Sequence, residues 1–445
     1  MSNSASIQGN QNISIQGVTD STITLNVGGD IKEVRNDLAE LKALLEHLQA
    51  QFVQVAGSRY VPEGLTERSL PLMLAQLAPN ALPEELRQNL VSDKATWVKS
   101  LQQAIQQQGV QVGNRPPSIF ERYGWLIETF LQKMLTKVGQ ERSLRRLSFM
   151  AEAFQSSLRY LVYVQVAQLL HTSEGAKHPA VAAFLEMPTE EQARFDYLNF
   201  LVTTTELLPE EEAFMPEIYA LVEELEDTDE DLRPSLLFLQ RQRNALLNQQ
   251  IAEDEALPTL LDEYLTALVL WLRELAFLAK YRLVSIKDIQ LSYRLGTEKF
   301  FTHLYGELHG MYQQGDYASD DYNTLRVENV FTYNQSVLLL KTHVQQALTD
   351  PRSYLSLSPL VIDQSVFSEK ATQTPEVYYF AGKEKDKKKY AFAQYKNELE
   401  IAERNTANKG LTVKRQNNKQ PKLNELFEQI QTLFNPKSNI ETKTD

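Results

Sequence analysis

The sequence predicts a mainly α protein: a helical bundle, preceded by an N-terminal β and coiled-coil oligomerisation segment and followed by a small β-rich α+β module. Three observations lead there. Apolar residues recur at helical spacing through most of residues 118–314, a strict heptad runs from Ile31 to Val55, and branched and aromatic residues gather in short runs after Gly315. The 445 residues, 42% hydrophobic and 23% charged, suffice for two or three packed cores. With 45 Lys and Arg against 58 Asp and Glu, the net charge of −13 repels a phosphate backbone, so nucleic-acid contact needs a local basic patch. The absence of cysteine excludes disulfides, thiolate metal sites and a cysteine nucleophile, and fits a reducing cytoplasm.

The chain opens on polar Met1-Ser2-Asn3-Ser4, without the charged-then-apolar pattern of a secretory signal. Its longest apolar stretches are interrupted, by Gln165 and Gln168 in one and by Asp262, Glu263, Arg273, Glu274 and Lys280 in the other, so no membrane contact is expected. Between residues 5 and 27, Ile13, Ile15, Ile23, Leu25 and Val27 alternate with polar residues, and Ile7-Gln8-Gly9 recurs as Ile15-Gln16-Gly17. These are short strands with turns at Gly9-Asn10 and Thr19-Asp20. So small a sheet is unstable alone and needs a cover.

The heptad supplies one. Ile31, Val34, Leu38, Leu41, Leu45, Leu48, Phe52 and Val55 fall at alternating spacings of three and four, with Asp30 as N-cap and charged shoulders at Lys32, Glu33, Arg35, Glu40, Lys42 and Glu46. The alternative is the first amphipathic helix of the globular body. The two-in-seven pattern and the uncovered strands favour self-association of residues 1–56, as dimer or trimer. Residues 7–27 with this helix resemble a short tag shared by many bacterial conflict and signalling proteins. The resemblance implies a protein partner carrying a similar tag.

Residues 57–117, punctuated by Pro62, Pro71, Pro79, Pro83 and Pro116-Pro117, read as a helical connector. Residues 118–314 then form the bundle, with helices expected at 119–135, 144–170, 190–208, 214–225, 234–251 and 260–289. The acidic runs Glu210-Glu211-Glu212 and Glu223-Glu224-Leu225-Glu226-Asp227 read as solvated helix faces rather than a metal site. Within the bundle, Phe238-Leu239-Gln240-Arg241-Gln242-Arg243-Asn244-Ala245-Leu246-Leu247-Asn248 resembles the last helix of HEPN-type domains, whose motif is Arg followed after four to six residues by His. In active members, the resemblance implies, Arg stabilises charge at an RNA phosphate and His handles the ribose 2′-hydroxyl proton. Here the matching positions are Arg243, Asn244 and Asn248, and a carboxamide has no proton to exchange. The six His residues complete no such spacing elsewhere. The plainer reading of Arg243 and Asn244 is helix packing.

No Walker loop, Gly-x-Ser-x-Gly elbow or His-Glu-x-x-His occurs, so neither a cofactor nor a catalytic residue is expected. His303 and Glu307, on an expected helix with His309 nearby, read as packing or surface groups, and no metal is assigned. In residues 315–445, strands are expected at 327–333, 336–340, 354–362, 377–380 and 390–395, with a terminal amphipathic helix carrying Leu423, Leu426, Phe427, Ile430 and Leu433. The last two strands flank a basic tip, Lys383, Lys385, Lys387, Lys388 and Lys389, beside Tyr378, Tyr379, Phe380, Tyr390, Phe392 and Tyr395. Cations beside aromatics make it a candidate contact for single-stranded nucleic acid, against the plainer reading of core aromatics and a soluble turn. The expectation is a non-enzymatic, cytoplasmic, oligomeric adaptor or sensor of a bacterial defence or stress system. The alternative is a HEPN-type ribonuclease toxin with a non-standard site around Arg243.

Overall fold

The computed structural model describes residues 5–8, 12–16, 22–26, 72, 75–76, 81–110, 118–172, 175–226, 231–293, 295, 298–310, 323–327, 332, 335–341, 352–367, 375–384, 389–394, 411–414 and 422–434. The heptad from Ile31 to Val55 and Lys385, Lys387 and Lys388 lie outside them. The N-terminal strands β1 (Ala5–Gln8), β2 (Asn12–Gln16) and β3 (Thr22–Asn26) form an antiparallel sheet in which Ile7 faces Ile13, Ile13 faces Leu25 and Ile15 faces Ile23.

The body is an α+β protein with a helical core. Its described helices are α1 (Glu84–Gln88), α2 (Lys94–Gln107), α3 (Trp125–Leu135), α4 (Lys137–Gln140), α5 (Leu144–Leu170), α6 (Pro179–Glu186), α7 (Tyr197–Glu206), α8 (Glu217–Glu226), α9 (Leu232–Leu247), α10 (Leu257–Glu274) and α11 (Lys422–Phe434). Asp93 starts α2 as N-cap, its carboxylate accepting the Thr96 N–H at 2.9 Å and the Thr96 hydroxyl at 2.6 Å. The central element is α5, buried at every position from Leu147 to Ala167 and packed against α3, α7, α9 and α10. A helix buried on all sides has no polar face, so the polar residues on α5 lie inside the protein.

One expectation fails at the end of the bundle. The helix expected through Ile289 stops at Glu274; a 3-10 turn covers Leu275–Lys280, and the chain continues as strand β4 (Tyr281–Ser292). The change to β structure thus comes well before Gly315. β4 is the central strand of an antiparallel five-stranded sheet ordered β6-β5-β4-β7-β8, with β5 (Phe300–Glu307), β6 (Asn323–Val327), β7 (Val337–Lys341) and β8 (Tyr354–Ser356). A strand buried on both faces is a continuous apolar run, which periodicity cannot separate from a buried helix.

The second antiparallel sheet is ordered β12-β11-β10-β9, with β9 (Val361–Asp363), β10 (Val377–Lys383), β11 (Lys389–Gln394) and β12 (Leu411–Lys414). Its aromatics and those of α11 continue the apolar core of the bundle without a break. Strand β10 is held there by polar contacts: Tyr163 Oη donates to the Phe380 carbonyl at 2.7 Å, Gln192 Nε2 to the same oxygen at 3.1 Å, and the Lys383 N–H to the Met187 carbonyl at 2.8 Å. Gly382 permits this approach, since its φ is +106° and a Cβ there would stand 2.4 Å from the Met187 carbonyl oxygen. Among the described residues no helix is long and apolar enough to cross a membrane.

Candidate functional site

Arg243 and Asn244 lie on α9, 2% and 4% exposed. Arg243 Nη1 donates to Asn244 Oδ1 at 3.2 Å, and Nη2 donates to the Ala193 carbonyl oxygen. Asn248 caps the helix: its N–H reaches the Asn244 carbonyl at 3.0 Å, and Gln249 follows with φ +57°. The Asn248 side chain accepts from Arg194 Nη1 at 3.0 Å. The segment Ala193–Arg194 therefore occupies both positions that the motif singled out.

Around Arg243 the bundle interior is polar. Asp196 caps α7 by accepting the Asn199 N–H at 3.1 Å and also accepts Gln76 Nε2 at 3.1 Å. Burial raises its carboxyl above the ordinary value, and the Asn199 N–H, the Gln76 amide and the Arg243 charge only partly oppose that. Arg159, on α5 and 1% exposed, sets its guanidinium 4.3 Å from the Tyr379 ring centre and 5.2 Å from that of Tyr197. This cation–π sandwich joins α5 to β10. Sequence reading missed Glu152, Gln155, Arg159 and Asp196, because a buried polar residue in an apolar helix looks like one on its wet face.

The basic tip is placed in part. Lys383 Nζ pairs with Glu186 Oε1 at 2.6 Å and stands 5.8 Å from the Tyr390 ring centre; Lys389 Nζ pairs with Glu384 at 3.6 Å. Tyr378, Tyr379, Phe380, Tyr390 and Phe392 are buried, with Phe380 against Phe434 and Tyr390 against Phe427 and Phe434 of α11. These rings face protein, as the plainer reading expects, so they offer no stacking platform for bases. His303 and Glu307 correct another expectation: they lie on strand β5, not on a helix, with His303 fully buried and Glu307 paired to Arg282 at 3.2 Å. Among the described residues no group of three His, Cys, Asp or Glu could hold a metal ion.

A second buried polar centre joins the two sheets. Lys287, the extra residue at a β-bulge in β4, places Nζ 2.5 Å from Asp363 Oδ2 and 2.9 Å from Ser365 Oγ, and both charged side chains are fully buried. Asp363 further accepts the Ser285 hydroxyl at 2.8 Å, the Ser365 N–H at 3.0 Å and hydroxyl at 2.7 Å, and the Glu376 N–H at 2.9 Å. Burial alone would raise its carboxyl; the Lys287 charge and the donated hydrogen bonds outweigh that and hold it below its ordinary value. No protein-family model, curated protein or solved structure matches this chain. The class the fold defines is therefore an α+β protein whose helical core carries two antiparallel sheets.

Proposed function

We propose that the protein is a non-enzymatic, oligomeric adaptor or sensor of a bacterial defence or stress system, acting in the cytoplasm and docking a partner through its N-terminal strand and heptad tag. The observation that carries this reading is the state of Arg243. Its guanidinium is turned into the bundle and bonded to Ala193 and Asn244, while Asn248 stands in place of a proton-transferring imidazole. A phosphate would have to displace the Ala193–Arg194 segment to reach it. The HEPN-like bundle is then a scaffold, and the resemblance of residues 7–27 to assembly tags supports a docking role.

Incubating the purified protein with structured and single-stranded RNA, with and without divalent metal, should leave both intact. Cleavage that disappears in Arg243→Ala would replace this reading with the ribonuclease. Deleting residues 1–56 should lower the number of protomers per particle measured by light scattering while leaving a folded body. An unchanged number of protomers would show that the tag does not assemble the protein.

A further inference from the structure

Among the described residues only four large apolar side chains stay exposed, and three of them stand together. Leu291, Tyr293 and Leu295 are 58%, 53% and 95% exposed, at the far end of β4. One exposed apolar residue is ordinary on a protein surface, whereas several in one place mark a contact. They also continue something already built. Val284, Ile286 and Leu338 form a small apolar cluster, with Ile289, Tyr305 and Leu340 packed against it. Along an extended strand Leu291 and then Tyr293 alternate onto the face that Ile289 occupies, so the cluster runs out of cover toward the end of the hairpin.

The backbone is open at the same place. β7 pairs with β4 only from Tyr281 to Ser285, after which the Ile286 N–H donates to the Ser336 carbonyl at 2.9 Å and its carbonyl accepts the Gln335 N–H at 3.2 Å. Past the bulge at Lys287, β4 keeps β5 on one side, from Asp288 against Leu304 to Ser292 against Phe300. Among the described residues no strand pairs with its other side. The main-chain groups on that side belong to Ile289 and Leu291, since their direction alternates along a strand. In agreement, the Ile289 N–H turns to its own Asp288 carboxylate, at 2.9 Å, and the Gln290 amide joins it there at 3.1 Å.

We propose that this edge of β4 pairs with the same edge of a second copy of the chain, antiparallel about a two-fold axis at Leu291. In that register Leu291 meets Leu291 and Ile289 meets Tyr293 of the second copy. Both exposed side chains at 291 and 293 are covered, and the open main-chain groups of Ile289 and Leu291 gain partners. An axis at Gln290 would leave Tyr293 uncovered and set position 294 against Ile286, whose N–H and carbonyl are already taken by Ser336 and Gln335. The axis at Leu291 sets position 294 against Asp288 instead, so each Asp288 comes opposite an arginine in the sequence and about 20 Å from the other Asp288. On pairing, the Ile289 N–H passes from Asp288 to the second copy, and the freed carboxylate meets that arginine. A strand from another protein or a lipid surface would use the same apolar residues, but neither requires the edge to match itself. The contact is separate from the N-terminal tag and does not depend on the adaptor reading.

The chain has no cysteine, so a single introduced thiol reports the contact. A disulfide needs Cα atoms within about 7 Å, and residues hydrogen-bonded across an antiparallel pair stand about 5.5 Å apart. Under mild oxidation, most of the full-length Leu291→Cys protein should therefore run as a covalent dimer on a non-reducing gel. Ile289→Cys, whose copies lie about 14 Å apart in this register, should stay free. So should Leu295→Cys, the most exposed of the positions, which would lead if chance collision made the cross-link. Adding Tyr293→Asp to Leu291→Cys should slow cross-linking about tenfold or more, because a charge then faces Ile289, and should leave the melting temperature unchanged. Leu41→Asp with Leu45→Asp, which breaks the heptad, should leave the Leu291→Cys dimer in place, so the tag and this edge fail separately. Light scattering of that heptad variant should give a dimer, and adding Leu291→Asp a monomer. The proposal is overturned if Leu291→Cys stays a single chain on the gel, if Leu295→Cys cross-links as fully, or if the dimer is lost with the heptad.

Discussion

Asp363 and Arg122 are both charges removed from water, but one is surrounded and the other is not. Asp363 receives an ammonium, two hydroxyls and two backbone N–H groups, so its charge is fully answered inside the protein. Arg122 is 7% exposed, its enclosed Nε has no hydrogen-bond partner, and the charges of Glu307, Glu121 and Glu128 offset its burial only in part. The difference separates a charge whose partners the fold supplies in full from one whose enclosed nitrogen the fold leaves without a hydrogen bond. Asp363 lies where the two sheets meet, which is where chain segments distant in sequence bring charges together.

The sharpest way to test the closed centre is to remove half of it. Lys287→Met should destabilise the protein by about 3–5 kcal/mol, because Asp363 is left charged and buried. Lys287→Met with Asp363→Leu should recover most of that loss. Denaturant melts of the three proteins measure it directly, and a double variant as unstable as the single one would show that the centre contributes more than charge balance. Arg122→Gln is the counterpart, with no such loss expected, because it leaves no buried partner charge behind.

Glu128 gives the next largest effect. Burial pushes its carboxyl from 4.5 to about 8, against the pull of three N–H donors. Since the folded value lies above the unfolded one, the folded state holds the extra proton. Stability should therefore fall as pH rises from about 4.5 to about 8 and then level off, by about 5 kcal/mol at most. Glu128→Gln has no such proton to lose. Its amide oxygen can serve Tyr123 and Gly124, but its NH2 group faces the Gly310 N–H. It should be the weaker protein at pH 5, and the gap should close by pH 8; a constant gap across that window would place the titration elsewhere.

A smaller loss, roughly 2–3 kcal/mol, is expected from Gly382→Ala, since the new Cβ meets the Met187 carbonyl at a backbone angle that L residues rarely adopt. Thermal melts of the variant would register it. A neutral result would mean that β10 can move off the Met187–Thr189 segment.

The sequence showed the regular elements more plainly than the centres between them. The helix at 144–170 and the strands at 336–340, 377–380 and 390–395 were legible because their apolar spacing is local, whereas the run read as one strand at 354–362 is two, β8 and β9, in different sheets. β4 was not, since a central strand and a buried helix present the same run of apolar residues. The candidate site was legible only as a motif. Residues Arg243 and Asn248 could be found, but not the Ala193–Arg194 segment that occupies them, because that contact joins residues about fifty apart in sequence. Arg122, Arg282, Lys287 and Asp363 gave no local signal at all. Lys287 and Asp363 stand 76 residues apart, and only the packing of the two sheets against each other brings them together.

The smallest effect is expected at the hairpin tip, where the comparison of closed and open charges also applies. Lys383 is a closed cation, its Nζ on Glu186 and its stem beside the Tyr390 ring. Glu186 is about half exposed, so water already screens the pair and Lys383→Ser should cost no more than about 1 kcal/mol. Its Nζ also has an anion, so it adds little to any phosphate contact. The nucleic-acid reading of the tip then rests on Lys385, Lys387 and Lys388. The full chain is the proper test protein, because a fragment starting near residue 316 would lack β4 and β5 from the five-stranded sheet. In fluorescence anisotropy with single-stranded RNA, Lys383→Ser should leave affinity within about twofold of the parent. Replacing Lys385, Lys387 and Lys388 by Ser should weaken a salt-sensitive interaction for every sequence alike. If Lys383→Ser alone abolishes binding, the Glu186 pair opens to admit a phosphate, and Lys383 is not a closed cation like Lys287.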